Sequence, residues 1–128
     1  MTERAFPVVF AKRVADTAGF YEQLGFTRFL QLPSEDDPGY VGLRRGASEI
    51  AVVDSAWPGD QYGGSISDGQ RFEMFVYVDD VDASVRRLRD NGTAVLREPV
   101  AMPWGDRVAY ITDPDGNPVG LAEAAARG

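Results

Sequence analysis

The sequence predicts an α+β domain made of two βαβββ modules in tandem. Three observations carry this. Strand-like and helix-like segments follow one another in the order βαβββ, and the order then begins again. An offset of 67 residues lays one half on the other, matching Val14 with Val81, Ala18 with Val85, Tyr21 with Leu88, Gly25 with Gly92 and Phe6 with Glu73. The chain has 128 residues, the usual size of one compact domain, and no boundary in it would let either half fold alone. The expected organisation is a single domain over 1–128, with a first module at 5–54, an inter-module loop at 55–70 and a second module at 71–123.

Each element has its own signal. "FPVVFA" at 6–11 is β-branched and aromatic, as a strand is. Val14, Ala18, Tyr21 and Leu24 then recur at helical spacing, and Gly25 stands where a helix stops. Arg13 opens that helix with a charge that opposes the helix dipole, which marks a local contact to an acid or a ligand. "FTRFLQL" at 26–32 alternates as a strand, "PSEDDPG" at 33–39 is a loop, and "YVGLRR" and "SEIAVV" are two short strands around Gly46. Residues 54–70 form the longest irregular segment, rich in Gly, Ser, Asp and Pro. Trp57 and Tyr62 lie within it, and they either anchor the loop or form a lid.

The second module repeats the plan. "RFEMFVYV" at 71–78 is a strand, and "DDVDASVRRLRDNG" at 79–92 is a helix. Asp79 or Asp80 is its N-cap, Val81, Val85 and Leu88 form its apolar face, and Gly92 follows its end. "TAVLREPV" at 93–100, "DRVAYIT" at 106–112 and "NPVGLAE" at 117–123 are strands, the last two joined by the turn "DPDG". Asp113, Asp115 and Asn117 look like calcium ligands, but the loop of about 12 residues ending in a bidentate Glu is absent, so a hairpin turn is the better reading.

Composition narrows the function classes. The chain has no cysteine, which excludes disulfides and thiolate chemistry. It has no histidine, which removes the commonest metal ligand and general base. A net charge of −7 argues against nucleic-acid binding, which sets Lys and Arg against phosphates. The acidic balance permits a cationic ligand and also keeps a small protein soluble. No apolar run approaches the roughly 20 residues of a membrane helix, and "MTERAFPVVF" has no signal-peptide pattern, so a cytoplasmic protein without a membrane partner is expected.

Taken together, "FYEQLGF" at 20–26, "VDDVDASVRRLRDNG" at 78–92, "PWG" at 103–105 and "DPDGNPVGL" at 113–121 cover nearly the whole chain. In that order they resemble the vicinal oxygen chelate superfamily of glyoxalases, extradiol dioxygenases and fosfomycin- and bleomycin-resistance proteins. The resemblance implies that the modules form a half-open barrel around a shared cavity, commonly in a homodimer. In metal-dependent members, up to four cavity-facing strand positions supply His and Glu ligands. Carried over singly, those positions fall on Phe6, Ala51, Glu73 and Gly120, and only Glu73 can coordinate. A slide of one residue would bring Glu49 inward in place of Ala51. Zinc takes about three protein ligands even in catalytic sites, and hard divalent cations take several oxygens. The expectation is therefore no metal, no cofactor and the metal-free, bleomycin-resistance-like branch.

Alternation places Glu73, Phe75 and Tyr77 on one face of their strand, and Phe72, Met74, Val76 and Val78 on the other. The continuous apolar face suits packing on the helix. The mixed face suits a cavity wall, matched in module one by Phe6, Val8 and Phe10. Aromatic rings stack on planar groups, and a carboxylate accepts hydrogen bonds or meets a cation. The "PWG" turn of bleomycin-resistance-like proteins implies Trp104 at the pocket; the alternative is an indole that caps the barrel end. Arg107 either contacts an anionic group or pairs with an acid, Glu73 either lines the cavity or pairs with Arg71 or Arg107, and Gly120 leaves room for close approach to its strand. The expected binding set is Phe6, Glu73, Phe75, Tyr77, Trp104, Arg107 and Gly120.

The expected function is sequestration of a planar or cationic, antibiotic-like small molecule by a non-catalytic protein. The competing reading is a lyase, isomerase or dioxygenase-type enzyme with Glu73 as general base or sole metal ligand. A third reading is a structural or regulatory partner with a filled cavity.

Overall fold

The computed structural model describes residues 4–33 and 37–125. The elements are β1 (Val8–Ala11), α1 (Val14–Glu22), β2 (Thr27–Leu32), β3 (Tyr40–Arg45), β4 (Ser48–Asp54), α2 (Trp57–Tyr62), β5 (Met74–Tyr77), α3 (Val81–Asp90), β6 (Val95–Ala101), β7 (Arg107–Thr112) and β8 (Pro118–Glu123). The βαβββ order therefore occurs twice. Two compact units result, 1–66 and 67–128. No helix among the described residues is long and apolar enough to cross a membrane.

In the first unit the sheet runs β1-β4-β3-β2, with β1 and β4 parallel and the other pairs antiparallel. Val14, Ala18, Tyr21 and Leu24, the stripe expected from the spacing, are all buried. Arg45 donates from Nε to the Leu24 carbonyl at 2.9 Å, so Arg45, Leu43 and Val41 share the side of β3 that faces α1. Val9, Val52 and Ile50 continue that buried side. Each fully buried Val, Leu or Ile contributes roughly 1.5–3 kcal/mol. Arg13 occupies the N-cap of α1 without a side-chain cap bond. Its guanidinium lies 3.9 Å from Asp16, one turn on.

The second unit repeats the plan as β5-β8-β7-β6. Here α3 is properly capped: Asp80 accepts from the Ala83 N–H at 3.0 Å. Val81, Val85 and Leu88 are buried, as are Val76, Val119, Leu121, Ala109 and Ile111 of the sheet. The β7–β8 hairpin closes on a buried Asp113, whose Oδ1 accepts from the N–H groups of Asp115 and Asn117 at 2.9 Å each. Its Oδ2 accepts from the Asn117 amide at 3.0 Å. These bonds make "DPDGN" a turn built around its first aspartate.

Two expectations are corrected. The strands of "FPVVFA" and "RFEMFVYV" begin at Val8 and Met74, so Phe6 and Glu73 precede them. In the second unit the reason is Pro118, which has no N–H, so the parallel ladder opens only at Met74 opposite Val119. The segment after β4 is not wholly irregular, because Trp57–Tyr62 forms α2 with Pro58 in its first turn and Gly63 at φ 74 after its end. The Trp57 ring packs against Tyr40 with centroids 5.8 Å apart, whereas Tyr62 is exposed.

Candidate functional site

The site is built from the face of the second sheet that points away from α3. The register settles which residues share it. Phe75 lies opposite Gly120, and Gly120 opposite Tyr110. One step along, Tyr77 lies opposite Ala122, and Ala122 opposite Val108. Ladder partners point to the same side of a sheet, so Phe75, Tyr77 and Tyr110 surround Gly120. The Phe75 ring meets Tyr77 at 6.0 Å and Tyr110 at 6.4 Å between centroids, both edge-on. Phe75 and Tyr77 remain 43% and 49% exposed, so their faces are open to a ligand.

Gly120 does not leave room for a ligand to approach its strand. A Cβ there would sit 2.5 Å from Phe75 Cδ1 and Cε1 and 3.2 Å from Tyr110 Cε1. The glycine makes room for the Phe75 ring itself.

The turn carrying Trp104 is tied to this cluster through Asp106. Tyr77 donates its hydroxyl proton to Asp106 Oδ2 at 2.8 Å. This bond raises the Tyr77 phenol above the ordinary tyrosine range, with desolvation and the aspartate charge adding to it. Asp106 Oδ1 accepts from the Ala125 N–H at 3.0 Å, and the Asp106 carbonyl accepts from Met102 N–H at 2.8 Å. Trp104 itself is 65% exposed and makes no ring contact with Phe75, Tyr77 or Tyr110. The turn is fixed, and the indole stands free of the cluster.

The structure does not bring Arg107 to this face. Arg107 lies opposite Glu123, on the side of the sheet covered by α3. Its Nε and Nη2 donate to Asp82 at 2.8 and 3.0 Å. That bonding holds the Asp82 carboxyl below, and the guanidinium above, their usual ranges. Glu73 is exposed, one residue ahead of β5, and forms an ion pair with neither Arg71 nor Arg107.

Phe6 belongs to the first unit, where it is half-buried under the Arg4 guanidinium, 4.9 Å from the ring centroid. Arg4 grips Glu49 with two bonds, at 3.0 and 2.6 Å. The bonding lowers the Glu49 pKa and raises that of Arg4. Glu49 and Ala51 sit two residues apart on β4, so they share a face without any slide of register. On the same face Phe29 lies over Gly42, where a Cβ would come within 2.8 Å of its ring, and the Arg44 guanidinium covers Phe29 at 3.9 Å.

Sequence reasoning missed Tyr110 and Asp106. The signal for Tyr110 was present, because a tight hairpin at 113–117 sets Tyr110 against Gly120. Asp106 had no comparable signal, since its role depends on a bond across to β5.

One set of acids outside the aromatic face could gather around a cation. Asp80, Asp82 and Glu123 bring one oxygen each within 4.8 Å of one another. All three already serve the start of α3: Glu123 accepts from Val81 N–H at 2.9 Å, Asp80 caps Ala83, and Asp82 pairs with Arg107.

A family model described as the glyoxalase/bleomycin resistance protein/dioxygenase superfamily matches residues 5–121. No curated protein matches the chain in sequence. Among solved structures, a glyoxalase/bleomycin resistance protein/dioxygenase family enzyme from Burkholderia phytofirmans PsJN superposes with a TM-score of 0.79 at 22% identity, covering 92% of this chain and 95% of its own. A hypothetical protein from S. aureus gives 0.78 at 20% identity, with 97% and 95% covered. Lactoylglutathione lyase from Agrobacterium tumefaciens gives 0.71 at 22% identity, with 96% and 95% covered. At these identities the likeness is one of fold.

Proposed function

The chain belongs to the glyoxalase/bleomycin resistance protein/dioxygenase superfamily, and on that premise we propose that it is a metal-free protein that binds a planar small molecule, cationic or neutral, on the aromatic face of its second module. The observation that carries this reading is the cluster of Phe75, Tyr77 and Tyr110 around Gly120, with two of the rings half-exposed. Flat ligands stack on such rings, and a cation gains from their negative faces.

The donor set does not fit the metal centre that the family resemblance implies. The chain has no His or Cys. Of the four carried-over positions only Glu73 holds a donor, and at Gly120 the space a ligating side chain needs is filled by the Phe75 ring. The catalytic alternative leans on Glu73, which is exposed and lacks a positioning partner among the described residues.

The test is binding of proflavine, a planar cation, and of acridine, its less basic relative. A saturating ligand stabilises the native state by about 2.7 kcal/mol at a hundredfold excess over Kd. Saturable binding with a raised Tm is expected, weakened in Phe75→Leu. Flat thermal shifts across planar compounds of every charge would remove the proposal, as would a stoichiometric divalent metal held through Glu73 in the purified protein. Turnover lost in Glu73→Gln would establish the enzymatic alternative.

A further inference from the structure

The two modules differ at one charged position in a way that points to an anion. The offset that matches Val8 with Phe75 also matches Arg4 with Arg71. In the last strands, Val8 pairs with Ala51 and Phe75 with Gly120, so Glu49 corresponds to Pro118. Module one thus places a carboxylate where its arginine takes it with two bonds, at 3.0 and 2.6 Å. Module two keeps the arginine and has a proline in the place of the carboxylate.

Arg71 shows the consequence. Its Nε donates to the Ser67 carbonyl at 2.7 Å, and its backbone N–H to Asn117 Oδ1 at 3.3 Å. Its Nη1 is buried and has no acceptor. Asp113, the buried acid of the adjoining hairpin, uses both oxygens on N–H groups of its own turn. Glu73, two residues on, forms no ion pair with the guanidinium. A buried charged donor without an acceptor is a costly resting state, so the guanidinium gains by turning toward an incoming acceptor. A carboxylate matches its planar fork with two parallel bonds, as Glu49 does for Arg4.

We propose that Arg71 is an anion-binding residue that takes the carboxylate of a small organic acid, in the role that Glu49 fills internally for Arg4. The inference stands apart from the aromatic-face reading, since it rests on Arg71, Pro118 and Ser67 and on none of the rings.

The test follows the arginine Nε–H signals of the full chain by 15N NMR during titration with acetate and benzoate, with benzamide as the uncharged control. Arg71→Gln assigns the signal. A saturable shift of the Arg71 signal with both carboxylates, absent with benzamide, is expected. Carboxylate affinity should fall about tenfold or more in Arg71→Gln, as for the loss of one charge-assisted bond. Pro118→Glu should supply the missing internal partner and abolish carboxylate binding with Arg71 intact, which keeps the idea testable if Arg71→Gln does not fold. An equal response to benzamide, carboxylate binding unchanged in Pro118→Glu, or an Arg71 signal that responds to Glu73→Gln and not to acetate would each overturn the proposal.

Discussion

Gly120 offers the sharpest test of how the aromatic face is packed. The perturbation is Gly120→Ala, alone and together with Phe75→Ala. The added methyl would lie 2.5 Å from two Phe75 ring carbons and 3.2 Å from Tyr110 Cε1. Ordinary carbon contacts are about 3.5–4.0 Å, so the ring must retreat by about 1 Å or leave its rotamer. Overpacking of this kind costs about 1–3 kcal/mol. Because Phe75 is 43% exposed it can yield outward, which favours the lower half of that range. Against this, alanine is better than glycine in a strand by roughly 0.5–1 kcal/mol. The single variant should therefore lose about 0.5–1 kcal/mol, a Tm drop of about 2–5 °C for a domain of this size. In the Phe75→Ala background the clash is absent, and the same methyl should stabilise. Urea denaturation of all four proteins gives the coupling energy, expected at about 1–2 kcal/mol with m unchanged. Additive changes, or a Gly120→Ala gain as large with the ring as without it, would refute the claim that Phe75 occupies the space over Gly120.

Three further outcomes are expected. Asp80→Ala should cost about 1 kcal/mol by removing the cap on Ala83 N–H, while Asp80→Asn, itself a good cap, should cost much less in the same urea assay. Arg107→Gln should lower stability at neutral pH and leave stability in acid nearly unchanged. Asp82 has its folded pKa depressed, chiefly by the hydrogen bond from Arg107, so its contribution is present above the unfolded value of about 4 and is lost as pH falls through the folded one. The variant should lose that contribution at neutral pH and show a shallower stability loss below about pH 4; parallel acid limbs in the two proteins would count against the pair. Tyr77→Phe should remove the tyrosine that ionises above the ordinary range in a spectrophotometric titration, because its bond to Asp106 favours the neutral phenol. The stabilisation from that bond should be present below about pH 10 and lost as pH rises through the raised folded value.

The helix faces and the duplication were legible because apolar spacing along a helix is a local property. Val14, Ala18, Tyr21 and Leu24 are buried, as are Val81, Val85 and Leu88. The open face of module two was half legible. Alternation correctly placed Phe75 and Tyr77 together, with Val76 on the buried side. Alternation carried less well to β7, where the parity of Arg107 depends on its partner across the hairpin. With Thr112 opposite Pro118, every second residue back from Thr112 shares the face of Gly120, which selects Tyr110 and Val108 and sends Arg107 to α3. Contacts between distant segments were out of reach, such as Tyr77 to Asp106 or Arg4 to Glu49, because nothing local in the chain encodes a side chain's partner across a sheet.

Gly120 shows why a missing ligand position is not a simple deletion, and Gly42, which is not such a position, provides the comparison. Each glycine lies on the face of its sheet away from the helix, and each is covered by a phenylalanine. The coverings are not copies of one another. By strand pairing Gly42 corresponds to Tyr110, and Gly120 to Ala51. The ring over Gly42 comes from β2, where a bulge between Arg28 and Leu30 makes Phe29 the extra residue. The ring over Gly120 comes from β5, on the other flank of the second sheet's β8. Two different strands have thus delivered a ring onto a glycine, so the arrangement follows from packing in each module separately rather than from the duplication. A glycine paired with its covering ring is a unit. Restoring a carboxylate at Gly120 alone would therefore place its side chain against Phe75, and a donor could enter that face only if the ring were removed with it.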